Sequence, residues 1–303
     1  MSDLYPIRRL GQHGLLPVRQ LQYHLTQWGQ PHPQQPLLLM MHGYMDVGAS
    51  YQFVVDAMSD GPLAQRCVVA PDWRGFGRSE GPAVDSYWFP DYLGDLDALI
   101  DALSPDAPVD LVGHSMGGNV VMTYAGVRPQ RVRRLVNLEG FGLPDLPPTE
   151  APKRMANWLD ALKEPQSLKP YASLADVAAR LRKNNPRLPA DKALWLAQHW
   201  SAQAADGQFH LQADAAHKRI NPHPYHAADA IAIWSQISAP TLWVQGQGSR
   251  LDTYWQGRYT HAEFQARLAH VPDLRQVHLE DAGHMLHHDQ PDALARALEA
   301  HLA

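Results

Sequence analysis

The sequence predicts an α/β fold in which a mostly parallel sheet is covered by helices on both faces. Short continuous apolar runs alternate with segments of helical spacing along most of the chain, as is typical of parallel strands joined by crossover helices. Strands that are buried on both faces have no polar side, so their apolar runs are continuous. A middle section without such runs indicates a helical insertion between two strands.

The alternation begins near the N-terminus. Residues 18–28 alternate in polarity as an edge strand would, and an apolar run at 37–41 predicts the first buried strand. A helix predicted over residues 51–58 separates this run from the next buried strand at 67–70. Residues 92–103 carry leucines on one helical side and predict a second helix.

The pattern continues with a buried strand at 109–112, a helix over 120–127 and a strand at 134–138. Strand-like runs are then absent until residue 238, and helical patterns at 173–181 and 192–200 replace them. The following ranges are predicted as strand, strand and closing helix: 240–244, 276–279 and 291–302. We therefore predict a core domain of residues 1–140 and 239–303 and a helical cap insertion of residues 141–238.

Composition and charge narrow the classes of function. The 303 residues are 45% hydrophobic, which is ample for a large core, and the net charge is −5 with no basic block, so we expect no nucleic-acid partner. No run of 18 apolar residues and no apolar segment in the first 16 residues is present, so we expect neither a membrane span nor a cleaved secretion signal. The single cysteine, Cys67, lies in an apolar run, which favours a buried thiol and a cytoplasmic protein.

The motif with the clearest chemistry is Gly-x-Ser-x-Gly at 113–117, between a buried strand and a stretch that can form a helix. A sharp strand-to-helix turn here would push Ser115 out of the backbone as a nucleophile. Glycine is expected at positions 113 and 117 for a steric reason, since a Cβ at either position would crowd the turn. The backbone N–H of Met116 would face a developing oxyanion. A plain Gly/Ser-rich turn is the alternative interpretation.

With these pieces in order, the chain resembles the cap-bearing α/β-hydrolases from about residue 37 to residue 302, with some similarity to haloalkane dehalogenases and epoxide hydrolases. His42-Gly43-Tyr44 stands where the family places its second oxyanion donor, which implies the Tyr44 backbone N–H. Ala282-Gly283-His284 resembles the loop of the catalytic histidine, which implies that His284 is the general base. The family order along the chain is serine, then acid, then histidine.

The triad acid is where this sequence departs from the common family pattern. The usual place is the turn after residues 244–246, where Ser249 stands and Asp252 follows three residues later. Glu139 ends the preceding strand, at the position that a branch of the haloalkane dehalogenases uses. Any carboxylate within hydrogen-bond reach can fix the histidine tautomer and stabilise the imidazolium. We predict Glu139 as the acid and keep Asp252 as the alternative.

Two further histidines follow the predicted base closely. We expect His287 and His288 at the pocket mouth or at the start of a helix. A metal site of His284, His287 and His288 is an alternative, but the His-Glu-x-x-His arrangement is absent. The run at 75–77 lacks the third glycine of a dinucleotide fingerprint. We therefore expect neither a metal nor an organic cofactor.

A serine at the turn implies acyl transfer through an acyl-enzyme. Epoxide hydrolases and haloalkane dehalogenases attack with an aspartate, so the similarity to them does not extend to the chemistry. We predict a serine hydrolase for a small to medium, partly apolar carboxylic ester, thioester or lactone, because an aromatic-rich cap would exclude water from the site. A C–C bond hydrolase and a small-molecule receptor with little turnover stay open as alternatives. The oligomeric state also stays open.

Overall fold

The computed structural model describes residues 4–303 and arranges them around a central sheet. The strands of these residues are β1 (Gln12–Val18), β2 (Leu21–Trp28), β3 (Leu38–Met41), β4 (Val68–Pro71), β5 (Val109–His114), β6 (Val132–Leu138), β7 (Ser201–Gln203), β8 (Phe209–Leu211), β9 (Thr241–Gly246) and β10 (Leu274–Leu279). The α-helices are α1 (Gln52–Ala57), α2 (Phe89–Leu103), α3 (Met116–Val127), α4 (Ala151–Lys163), α5 (Leu174–Asn184), α6 (Ala190–Trp200), α7 (Ala227–Trp234), α8 (Leu251–Tyr254), α9 (His261–Leu268), α10 (Leu286–Asp289) and α11 (Pro291–Leu302).

The central sheet has eight strands in the order β1-β2-β4-β3-β5-β6-β9-β10. All neighbours from β4 to β10 run parallel, whereas β2 is antiparallel to both β1 and β4. The predicted α/β fold with a mostly parallel sheet is therefore confirmed. None of the helices within residues 4–303 combines the length and apolar character that crossing a membrane requires.

Helices cover the sheet on both faces, and the central strands are buried for this reason. Along β3, Leu39 and Met41 pack into the cluster that includes α2 and α3, whereas Leu38 and Met40 pack into the cluster that includes α1 and α11. Successive side chains of a strand point to opposite faces, so a strand between two layers of helix is buried, and largely apolar, on both sides. This explains the continuous apolar runs.

The prediction of one edge strand over residues 18–28 is wrong. The chain turns at Arg19, which has a φ of 53°, and β1 and β2 form an antiparallel hairpin whose outer strand is β1. The Arg19 guanidinium lies 2.9 Å from an Asp95 carboxylate oxygen and holds the turn against α2. A turn that places a non-glycine residue in the left-handed region gives no compositional signal.

The section between β6 and β9 contains helices α4 to α7. The expectation that strands are absent from it is wrong, because β7 and β8 pair as a short antiparallel hairpin. Strands of three residues are too short for a polarity pattern. Helices α5 and α6 share a cluster of buried side chains with Val47 and Phe53, and α7 packs on α3, where Ile233 contacts Gly126.

Candidate active site

The turn between β5 and α3 exposes Ser115 in a strained backbone conformation. Ser115 has φ 52° and ψ −114°, in a region that non-glycine residues rarely adopt. A Cβ on Gly113 would collide with the Gly117 carbonyl group, and a Cβ on Gly117 would collide with the Met41 carbonyl group. The two glycines therefore let the strand, the helix and the neighbouring strand approach closely around the serine.

His284 follows β10 and lies directly beside Ser115. Its Nε2 atom is 3.0 Å from the Ser115 Oγ atom, and its ring is about half exposed. This distance lies within the range for direct proton transfer between a hydroxyl group and an imidazole.

Glu139 lies at the end of β6 and faces the other nitrogen of the same imidazole. Its Oε2 atom is 3.2 Å from His284 Nδ1, and the side chain is fully buried. The carboxylate also accepts the backbone N–H of Gly246 at 2.8 Å and the hydroxyl of Ser249 at 2.6 Å. These donors compensate the carboxylate for the hydration that it loses on burial. Ser249 stands where the family commonly has its acid, and the sequence did not indicate that it would support Glu139.

Asp252, the alternative acid, lies elsewhere. It is an exposed residue of α8, and its Oδ1 atom accepts the backbone N–H of His261 at 2.6 Å. Its carboxylate thus orders the start of α9. Of the two candidate acids, the geometry favours Glu139.

The segment after β3 runs against the Ser115 turn. A Cβ on Gly43 would lie 3.2 Å from Ser115 Cβ, so only a glycine backbone can pass this close. His42 Nε2 accepts the backbone N–H of Trp73 at 2.8 Å, and burial lowers the pKa of His42, which keeps this ring a neutral acceptor. Tyr44 follows Gly43 and Met116 follows Ser115, so the two candidate oxyanion donors belong to segments that meet at the nucleophile.

His217, in the section between β6 and β9, contacts the loop beside this site. Its ring stacks on Phe76 at 3.9 Å and on Tyr87 at 3.6 Å between ring centroids, and its carbonyl oxygen accepts the Tyr44 hydroxyl at 3.2 Å. Burial lowers the pKa of His217 to about 4, so the stacked ring is neutral at neutral pH.

Of the two positions predicted for His287 and His288, the pocket mouth or the start of a helix, the structure agrees with the helix, because both belong to the short helix α10. Both side chains are buried, because α10 packs against α1 and α11. Among residues 4–303, His287 groups instead with Asp46 and His114, and their potential ligand atoms lie within 4.8 Å of one another. The sequence did not indicate this cluster, because its members come from three distant segments.

A cavity of about 840 Å³ lies between the β1–β2 turn, residues 74–91 and residues 212–214. Neither Ser115 nor His284 lines it. The Arg74 guanidinium on its wall is already paired with Asp95 at 2.5 Å, and Arg19 is paired with Asp91 at 3.1 Å. This cavity therefore lies apart from the candidate catalytic side chains.

Comparison with known proteins gives a family match over most of the chain. A family described as "alpha/beta hydrolase fold" matches residues 36–291. A 3-hydroxybutyrate-oligomer hydrolase from Cupriavidus necator is 30% identical over 280 residues, which are 88% of this chain and 87% of that protein. An epoxide hydrolase from Caballeronia sordidicola is 34% identical over 116 residues, 38% of this chain and 33% of that protein.

Several other curated relatives are likewise matched over only 32% to 38% of their own length. Among solved structures, a thioesterase domain from the curacin biosynthetic pathway superposes with a TM-score of 0.79 at 28% sequence identity. The superposition covers 95% of this chain and 99% of that domain. The predicted similarity to epoxide hydrolases is confirmed by the sequence matches.

Proposed function

Since this chain belongs to the α/β-hydrolase fold family, we propose that it is a serine hydrolase that cleaves a carboxylic ester through an acyl-enzyme. One observation carries the proposal. Ser115 Oγ, the His284 ring and the Glu139 carboxylate form a continuous chain of contacts at 3.0 and 3.2 Å. This is the order of contacts that nucleophile, base and orienting acid require.

In the proposed mechanism, His284 Nε2 takes the Ser115 proton as Oγ attacks the ester carbonyl carbon. The backbone N–H groups of Tyr44 and Met116 would stabilise the resulting oxyanion. Collapse of the tetrahedral intermediate breaks the ester C–O bond, and the leaving oxygen takes the proton from His284 and departs as the alcohol. Water, activated by the same imidazole, then hydrolyses the acyl-enzyme. Glu139 would hold the ring in the correct tautomer and stabilise its cationic form.

We propose a small to medium, partly apolar acyl group as the substrate. Residues 141–238 would act as the cap, since His217 fastens this section beside Tyr44. An ester is supported by the relative named as a 3-hydroxybutyrate-oligomer hydrolase, and a thioester is the second candidate because of the similarity to a thioesterase domain. Lactones and C–C bonds need the same residues and stay as alternative substrates. Cytoplasmic location stays a prediction.

The test is trapping of the covalent intermediate. Wild-type protein is mixed with p-nitrophenyl esters of graded acyl length, with 3-hydroxybutyrate oligomers and with acyl thioesters, and quenched in acid for intact-mass analysis. We expect a mass increase of one acyl group that maps to the peptide containing Ser115 and is absent from Ser115→Ala. Hydrolysis without an adduct in any substrate, or an adduct on another residue, would refute the mechanism. Binding of these compounds without turnover would favour a receptor.

A further inference from the structure

Behind the candidate active site lies a polar cluster that the proposed mechanism does not use. It consists of Asp46, His114 and His287, all of which are at most 2% exposed. Asp46 comes from the segment after β3, His114 ends β5 immediately before Ser115, and His287 belongs to α10. The cluster therefore touches the segments that carry Tyr44, Ser115 and His284.

His114 connects the nucleophile's strand to the base. Its Nε2 atom lies 2.7 Å from the backbone carbonyl oxygen of His284, and a carbonyl only accepts, so Nε2 must carry the hydrogen. Burial lowers the pKa of His114 well below its ordinary value, so the ring is neutral and its Nδ1 atom is left as an acceptor.

His287 lies between this acceptor and a second one. The His287 ring centroid is 4.4 Å from that of His114, and its Nε2 atom is 3.5 Å from Asp46 Oδ2. The other Asp46 oxygen accepts the Val47 backbone N–H at 2.8 Å and the Ser50 hydroxyl. Asp46 thus orders the turn that follows Tyr44.

The polar atoms of this cluster are buried at a cost. Within residues 4–303, Asp46 Oδ2, His114 Nδ1 and both nitrogens of His287 lack a hydrogen-bond partner that meets normal distance limits. A buried polar atom without a partner destabilises the fold, and apolar side chains of similar size would avoid that penalty. The His287 imidazole stands between the two acceptors, with its Nε2 atom 3.5 Å from Asp46 Oδ2 and its ring against that of His114.

We propose that Asp46, His287 and His114 form a positioning chain that holds the His284 backbone and the Tyr44 turn in register with Ser115. The inference rests on the proposed function, because it assigns these residues to the support of that site. They are positioning residues and touch no reacting atom. A displacement of about 1 Å in a catalytic group can lower turnover by about 100-fold.

The test compares His114→Leu and His114→Gln with a matched control, His301→Leu. His301 is also a buried histidine whose Nε2 atom contacts carbonyl oxygens, those of Leu135 and Pro240 at 3.1 Å, but near the ends of β6 and β9 that lie away from Ser115. We expect His114→Leu to lower kcat by about 100-fold with a change in KM below about threefold. We expect His114→Gln to restore most of kcat, because its amide can donate from nearly the same place.

The variant His287→Leu tests the next residue of the proposed positioning chain. We expect it to lower kcat by about tenfold alone and to add nothing to His114→Leu, since both changes break one pathway. Hydrogen exchange of residues 282–286 gives a readout that needs no turnover, and it should accelerate in His114→Leu but not in His301→Leu.

Equal losses of kcat in His114→Leu and His301→Leu, or full additivity with His287→Leu, would overturn the proposal. So would stoichiometric binding of Zn²⁺ that Asp46→Asn abolishes, which would make the cluster a metal site. A wild type without hydrolysis of any ester, but with the expected exchange pattern, would reject the proposed function and leave the positioning chain standing.

Discussion

The carboxyl ends of the parallel strands and the section between β6 and β9 hold the surroundings of Ser115 by different means. Ser115 and Glu139 end adjacent parallel strands, and the backbone fixes each with a positive φ, 52° and 58°. His217, by contrast, is held by ring stacking on Phe76 and Tyr87 and by side-chain hydrogen bonds. The geometry of the candidate catalytic groups is thus set by the sheet, whereas the section between β6 and β9 depends on contacts that pH can change. Substitutions in the two regions should consequently affect different measurable quantities.

The largest effect on turnover is expected at the carboxyl ends of the parallel strands. Ser115→Ala should lower kcat for p-nitrophenyl esters by about 10⁴-fold or more, because the acyl-enzyme can no longer form. The free energy of unfolding, measured in urea, should stay within about 1 kcal/mol of the wild type, since the change removes one hydroxyl from a partly exposed residue. Turnover near that of the wild type would contradict the serine mechanism.

The two candidate acids provide the next test. Glu139→Gln should lower kcat by about 10²- to 10⁴-fold, because an amide neither fixes the tautomer as well nor stabilises the imidazolium. Asp252→Asn is the matched control, and it should change kcat by less than about twofold because Asp252 contacts only the start of α9. The reverse pattern in steady-state kinetics would move the acid to α8.

Ser249→Ala should have a milder effect on turnover, because Ser249 contacts the acid and not the base. It removes one of the two hydrogen bonds that the Glu139 carboxylate accepts from Gly246 and Ser249, and such a bond is worth about 1 to 3 kcal/mol when one partner is charged. We expect kcat to fall by about tenfold, with Ser249→Thr close to the wild type. A loss as large as that of Glu139→Gln would mean that Ser249 does more than support the carboxylate.

The smallest effect is expected in the section between β6 and β9, and it depends on pH. The pKa of His217 is about 4 in the folded protein against an ordinary 6.5, so the unfolded chain binds its proton more readily. The stabilising effect of the neutral ring is complete above about pH 6.5 and is lost as pH falls toward 4. Compared with His217→Phe, which keeps a stacking ring, wild type should lose about 1 to 3 kcal/mol more stability between pH 7 and 4.5. Parallel pH profiles from urea unfolding would contradict this role.

The same two regions differ in how well the sequence predicts them. The buried strand β3 is a continuous apolar run, and β5 and β9 are mostly apolar, so their type and order follow from burial on both faces. The contact between Glu139 and His284 agrees with the choice of acid, because parallel strands bring their carboxyl ends to one edge. By contrast, the hairpin of β7 and β8 has three residues in each strand and leaves no periodic signal.

Polar residues inside the core were the hardest to predict. His287 and His288 follow the predicted base within four residues, which suggested the pocket mouth or the start of a helix, and the packing of α10 buries them. Asp46 and His114 are 68 positions apart along the chain, and no local pattern relates them to His287. Such groupings depend on tertiary packing, so they are visible only in the folded structure.

The most direct test of the central claim is a stopped-flow burst experiment with the best p-nitrophenyl ester. We predict a rapid release of p-nitrophenolate whose amplitude equals the enzyme concentration, followed by slower steady turnover, and no burst in Ser115→Ala. A burst that persists in Ser115→Ala would contradict an acyl-enzyme on this serine.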